Sequence, residues 1–361
     1  MRHLGVVVGM GWTGHHTAAA LFRRWRRVGA SVAVLAILGG VLAACGASTV
    51  PAKKPSLPLI GFDVARTSVP FFLAMENGVR SGAKTYGARV IIENANNSAT
   101  TQVDQIRTML NDGVKALIIN AVDAASVAPI TLLAKRDHVP VVSPGTGIPG
   151  GAVYATVESN PITLGEQQAT ELVKSLTAKY GSPTGNVVYA EGIMTLNAGR
   201  GELKGFTSVL KKYPSIHLVD TIQGQFAETP AYDAFRAVLA ANPAVSGSGA
   251  IVAAVGANDA SAEGMAQAIK GAGRFYPPSS PHHILVLGTD GGPTGLSYMK
   301  SGELDVIIGQ HPTEMGALSV KFALAALKHV PAPPNGHYYT STVVITPANL
   351  NTVKIWGKTL N

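Results

Sequence analysis

Ala116-Leu117-Ile118-Ile119-Asn120, a helical stretch reaching Lys135, and then Val139-Pro140-Val141-Val142: this segment decides the fold. Neither apolar run alternates with polar residues. A strand with one wet face would alternate, so these strands are covered on both faces, as in a parallel sheet with helices above and below. Outward from this segment the same unit recurs. Leu59-Ile60-Gly61-Phe62 precedes a helical pattern over 71–86. Val90-Ile91-Ile92 precedes a helix in which Val103, Ile106, Met109 and Leu110 keep three-to-four spacing. After a break over 149–161 the alternation restarts, with helices over 164–180, 203–213, 232–241 and 260–271 and strands over 187–189, 216–219, 250–254 and 284–287. A strand over 305–308, an apolar helix over 314–327 and a strand over 342–345 follow. The expected fold class is α/β: two doubly wound parallel-sheet lobes joined by three crossing segments, near 158–160, 310–311 and 339–341. Residues 58–158 with 311–340 form the N-terminal lobe, and 159–310 with 341–361 the C-terminal lobe.

The length of 361 residues suits two such domains. Charged residues are only 14% of the chain, against about 25% in an average soluble domain, which argues against a disordered or nucleic-acid-coating protein. One Cys cannot pair within the chain. The formal charge of +8 falls to about +3 once Arg2, Arg23, Arg24, Arg26 and Arg27 of the leader are set aside. No phosphate-binding face and no nucleic-acid partner are expected.

Phe22-Arg23-Arg24-Trp25-Arg26-Arg27 is followed by an uncharged run over 28–44, basic then apolar then small, which is the layout of a secretory signal. The run is short of the about 20 residues of a membrane span, and Gly39-Gly40 interrupts it. Leu42-Ala43-Ala44-Cys45-Gly46 resembles the lipobox of bacterial lipoproteins. That resemblance implies a signal peptide over 1–44, lipidation at Cys45, a tether over 45–57 and attachment to the membrane through the lipid alone. Translation starting at Met10 instead of Met1 fits the leader equally well.

In open α/β sheets ligands bind beyond the carboxyl ends of the strands. Asn120, Asn258, Asp290 and Gln310 each follow a strand; Phe71-Phe72 follows the first, and Phe226 the strand over 216–219. Amides and carboxylates meet hydroxyls and aromatic faces cover C–H surfaces, the needs of a neutral polyhydroxylated ligand. Each residue also has a plainer role open to it. Asn120 and Asn258 are favoured helix caps, Asp290-Gly291-Gly292 is a turn sequence, and two phenylalanines at a helix start fit a core.

The order and spacing resemble the type-1 periplasmic sugar-binding proteins of bacterial ABC importers, in particular the ribose-binding branch, across nearly all of residues 57–345. The resemblance implies stacking rings at Phe71 and Phe72, a second-lobe ring at Phe226, and polar contacts from Asn120, Asn258, Asp290 and Gln310. It places an arginine contact on Arg200, six residues before Phe206. Two departures stand out. Ser143-Pro144-Gly145-Thr146 replaces the Asp-Arg pair of ribose binders, leaving Thr146 as the contact there, and Val69 replaces an Asn. Ribose is thereby put in doubt in favour of another sugar, a shorter polyol or a cyclitol.

Other motifs fail on context. Gly145-Thr146-Gly147-Ile148-Pro149-Gly150 matches a dinucleotide-binding fingerprint, but no helix pattern opens there. His282-His283 is read as a polar loop. No nucleophile or metalloprotease motif occurs, so no enzyme activity, cofactor or metal is expected. The expected protein is a monomeric, lipid-anchored solute-binding protein that delivers a sugar or polyol to permease and ATPase subunits. The alternatives are a lipoprotein that presents the bound sugar to a membrane receptor and, less favoured, an enzyme on the same fold.

Overall fold

The computed structural model describes residues 56–360. The signal peptide, Cys45 and all but the last two residues of the tether lie outside them. Two six-stranded sheets carry the fold. The first is built from β1 (Leu59–Val64), β2 (Arg89–Asn94), β3 (Ala116–Ile119), β4 (Val141–Pro144), β5 (Ala155–Glu158) and the late strand β11 (His337–Tyr339), in the order β2-β1-β3-β4-β5-β11 and wholly parallel. The second contains β6 (Gly185–Glu191), β7 (Ile216–Gln223), β8 (Ile251–Gly256), β9 (Leu285–Asp290), β10 (Val306–Gly309) and β12 (Val343–Ile345). Its order is β7-β6-β8-β9-β10-β12, with only β12 antiparallel.

Both sheets are doubly wound. On one face of the first, α1 (Pro70–Tyr86) and α9 (Pro312–Leu327) bury Val79, Met315 and Val320 against Ile60 and Ile118. On the other, α2 (Ala99–Asn111) and α3 (Ala124–Arg136) bury Ile106, Met109 and Val127 against Leu117 and Ile119. The second sheet is enclosed likewise. α4 (Pro161–Tyr180) and α5 (Asn197–Leu210) cover one face, and α6 (Glu228–Ala241), α7 (Asp259–Gly271) and α8 (Pro293–Lys300) the other. Each such fully buried aliphatic side chain contributes about 1.5–3 kcal/mol, which is why uninterrupted apolar strands sit here.

α9 comes after most of the second sheet in the chain but packs on the first lobe. A Cβ on Gly78 would overlap the Thr313 carbonyl oxygen, and one on Gly316 the Met75 carbonyl oxygen. These glycines let the α1 and α9 backbones touch. The chain passes between the sheets after Glu158, after Gly309 and after Tyr339.

Three elements differ from the sequence reading. β5 lies inside the stretch read as a break: its four residues are all buried, but Thr156 and Glu158 interrupt any apolar run. The three-residue β11 carries no apolar run either. α8 is eight residues long and opens at Pro293 behind two glycines, so it reads as a turn. No helix opens after Gly150 until α4. His283, read as part of a polar loop, is buried, its Nδ1 2.7 Å from the Tyr276 carbonyl oxygen and its Nε2 3.0 Å from Asp305 Oδ1. No helix among the described residues is long and apolar enough to cross a membrane.

Candidate functional site

The carboxyl ends of both sheets open onto one cavity of about 130 Å³. A single ordered water needs about 10–15 Å³ on that measure, so the space suits a small organic molecule. The first lobe contributes the segments that leave β1, β3, β4 and β5. Phe71 and Phe72 stand in the first turn of α1, entered through Pro70, whose missing N–H costs nothing at that position. Their rings meet edge to face at 5.8 Å. Asn120 is 2% exposed. Its Oδ1 accepts from Ala65 N at 3.3 Å and its Nδ2 donates to the Pro144 carbonyl at 3.2 Å. It therefore braces the ends of β1 and β4; the cap of α3 is Asp123. Thr146 follows Gly145, whose φ of 80° is natural only to glycine. The Thr146 Oγ1 is buried without a hydrogen-bond partner and lines the cavity.

The second lobe brings Phe226, Asn258, Asp290 and Gln310 to the same cavity. Gln225 and Phe226 both have left-handed backbone, with φ of 52° and 54°. This folds the Phe226 ring onto Gly192, where a Cβ would strike it. Asn258 does cap α7, its Oδ1 accepting from Ser261 N at 2.9 Å, while its Nδ2 reaches the Phe226 carbonyl at 3.3 Å. Capping and lining the cavity coexist in this residue.

Asp290 is the most constrained of the group. Its φ is 120°, a conformation that costs a non-glycine residue about 1–3 kcal/mol. Three hydrogen bonds from two residues hold it. Trp356 Nε1 donates to its carbonyl at 2.8 Å, Gln310 N to the same oxygen at 3.0 Å, and Gln310 Nε2 to its Oδ1 at 2.9 Å. Beneath it Asp259, 5% exposed, accepts from Gly291 N at 2.9 Å and Gly292 N at 2.8 Å, shaping the turn that presents Asp290. Burial raises both carboxyls above the usual carboxylate range, and their mutual repulsion adds to the rise at Asp259.

Arg200 is a correction. It is exposed, lies off the cavity, and donates from Nη1 to the Met194 carbonyl at 2.8 Å and from Nη2 to Asn197 Oδ1 at 2.6 Å. The reason is helical geometry. α5 turns Ala198 and Glu202, four residues apart, toward the cavity, and a residue midway between them lies on the opposite side. Counting six residues back from Phe206 thus lands off the face that Phe206 shares with Glu202.

Sequence reasoning also passed over Glu202, Glu158, Arg66 and Trp356. Glu202 lies one turn before the buried Phe206, a spacing that marks it as inward-facing. Glu158 ends a strand that the sequence concealed, whereas Arg66 follows the first strand and obeys the strand-end rule. Trp356, which packs its ring on Phe71 at 6.0 Å, sits in the tail after β12 and had no local signal. Burial pushes Glu158 up to about 8, with His337 Nδ1 3.0 Å from its Oε1. Burial, then the charges of Asp290 and Glu158, push Glu202 well above the usual range.

Comparison with known proteins agrees with this architecture. A model of the periplasmic binding protein domain matches residues 60–330. A ribose import binding protein from Bacillus subtilis (strain 168) is 26% identical over 264 residues, 73% of this chain and 80% of that protein. A xylitol-binding protein from Mycolicibacterium smegmatis is 28% identical over 281 residues, 77% of this chain and 74% of that protein. Among solved structures, an ABC transporter periplasmic solute-binding protein from Actinobacillus succinogenes 130z with bound D-allose superposes with a TM-score of 0.71. Its identity is 24%, over 82% of this chain and 100% of that one.

Proposed function

The chain belongs to the periplasmic binding protein domain family, and from that premise we propose that it is the lipid-anchored, extracytoplasmic solute-binding component of an ABC importer for a small sugar or polyol. One observation carries the reading: the strand ends of two separate sheets converge on one cavity that combines three phenylalanine rings with amides and carboxyls. In this reading Phe71, Phe72 and Phe226 cover the C–H faces of the ligand. Asp290, Asn120, Asn258, Gln310 and Thr146 meet its hydroxyls. The relatives named above, a ribose import binding protein and a xylitol-binding protein, support that ligand class.

Three chain crossings act as the hinge, and the ligand favours the closed form because only there do both lobes touch it. The N-terminal lobe then comprises 58–158 with 311–340 and the C-terminal lobe 159–310 with 341–361. The closed monomer docks on a permease, and ATP is hydrolysed by separate subunits. The run Leu42-Ala43-Ala44-Cys45 supports the anchor; a Cys45→Ala protein that still incorporates labelled acyl chains would end that part of the reading.

The decisive experiment is a thermal-shift screen of the purified protein against pentoses, hexoses, pentitols, tetritols and cyclitols, each at about 1 mM. A ligand present at about 100 times its Kd stabilises by about 2.7 kcal/mol, a rise of several degrees for a protein of this size. A panel without any shift would reject a sugar or polyol as the solute.

A further inference from the structure

The charge inside the cavity is lopsided. Glu158, Glu202 and Asp290 all line it, and Arg66 is the only lysine or arginine among the described lining residues. Glu158 Oε1 faces His337, and Asp290 Oδ1 accepts from Gln310. Glu202 is 4% exposed, yet its Oε2 has no hydrogen-bond partner. Where an arginine was expected on α5, the residues turned to the cavity are Ala198 and Glu202, and Arg200 faces out. An orphaned buried carboxyl oxygen is costly unless a donor arrives, and like-charged neighbours deepen the cost.

Hydroxyl groups supply hydrogen bonds but no charge. Nor do these acids converge on a point: among the described residues no three acidic, histidine or cysteine side chains come together as a metal site. What answers spread acids beside aromatic rings is an organic cation, whose ammonium pairs with a carboxylate and whose charge is also attracted to ring faces.

We infer that the solute carries an amine: an amino sugar or amino-polyol whose ammonium group donates to Glu202 Oε2, flanked by Glu158 and Asp290. This inference rests on the sugar-or-polyol reading above and narrows it. The raised proton affinity of Glu158 and Glu202 agrees with it. An ammonium held against these acids favours their ionised form, so binding shifts protons from them to the buffer. The other titratable and charged groups that face them are His337 and Tyr339 against Glu158, Tyr189 against Glu202, Asp259 and Glu263 against Asp290, and Arg66 on the cavity wall, whose Nε also has no hydrogen-bond partner among the described residues.

The test is isothermal titration of the purified full chain with matched pairs. These are D-glucosamine and D-glucose, 1-amino-1-deoxyxylitol and xylitol, and an aminodeoxyinositol and myo-inositol, each in two buffers of different ionisation enthalpy at pH 7. The expected result is that in at least one pair the amine binds about 10- to 100-fold more tightly than its hydroxyl partner, with proton release. Glu202→Gln should bring that ratio close to one. If every pair that binds does so with the hydroxyl member equal or tighter, the amine inference is overturned and the sugar-or-polyol reading stands. If no member of any pair binds, the amine inference falls, and the thermal-shift panel above decides the sugar-or-polyol reading separately. Should Glu202→Gln fail to fold, the ratio and proton release of the wild-type protein decide the matter.

Discussion

At the scale of single residues, Asp290 and Arg200 separate what lines the cavity from what only sits near it. Asp290 is held in an unfavourable backbone conformation by Gln310 and Trp356, and its carboxyl faces the cavity. Losing one partner of a buried hydrogen bond costs about 1–3 kcal/mol, so Asp290→Ala is expected to weaken binding of the identified ligand by about 5- to 150-fold in a titration. Arg200→Ala removes only contacts to Met194 and Asn197 and should leave the affinity within about twofold, since exposed polar contacts contribute little. Equal affinity for wild type and Asp290→Ala, or a large loss for Arg200→Ala, would reverse the assignment of these two residues. Asn120, Asn258, Asp290, Gln310 and Phe226 could be found because they come after strands, and Phe71 and Phe72 because they open the first helix. Arg200 could not be placed correctly from spacing. Its orientation depends on how α5 is rotated.

That rotation belongs to the scale of elements. A Cβ on Gly165 of α4 would overlap the Glu202 carbonyl oxygen, and one on Gly205 of α5 the Ile162 carbonyl oxygen. The two helices therefore meet backbone to backbone, and this contact sets which side of α5 looks into the cavity. The same device joins α1 to α9 through Gly78, Gly82 and Gly316. A methyl group at Gly78 has only the Thr313 backbone to displace, so Gly78→Ala is expected to destabilise by about 1–3 kcal/mol, the usual cost of overpacking. A thermal melt reads this as a loss of several degrees; an unchanged midpoint would mean the helices are not in backbone contact. The strands that the sequence disclosed were those with apolar runs. β5 and β11 were hidden because a four-residue strand with Thr and Glu, and a three-residue strand of His and Tyr, are held by their neighbours in the sheet and not by their own composition.

Across the whole molecule, buried acids set the response to pH. Burial raises Asp63 to about 7, against the hydrogen bond from Gln102, and Glu158 to about 8. Asp290 and Glu202 move in the same direction, mainly through burial. In the unfolded chain such groups ionise near pH 4. Between about pH 4 and pH 8 the folded protein consequently binds more protons than the unfolded one, and stability falls as pH rises. The stabilisation is complete below the unfolded pKa and is lost as pH climbs through the folded values. The ligand-free protein should melt at a higher temperature at pH 5 than at pH 8, and Glu158→Gln should flatten part of that slope. A midpoint rising over the same interval would show that these acids are ionised and paired in the folded state.

The amino-acid sequence by itself determined the class of fold, the doubling of the α/β unit and the strand ends where a ligand would be met. Those properties are local: unbroken apolar runs demand cover on both faces, and helical spacing identifies the segments that supply it. Tertiary structure alone decided that Ala198 and Glu202 face the cavity while Arg200 faces out, that Glu158 ends a strand, and that Trp356 reaches back to steady Asp290. Each of these depends on contacts between segments far apart in the chain, in which backbone approach at glycines and pairing at a sheet edge fix orientations that no single stretch of sequence encodes.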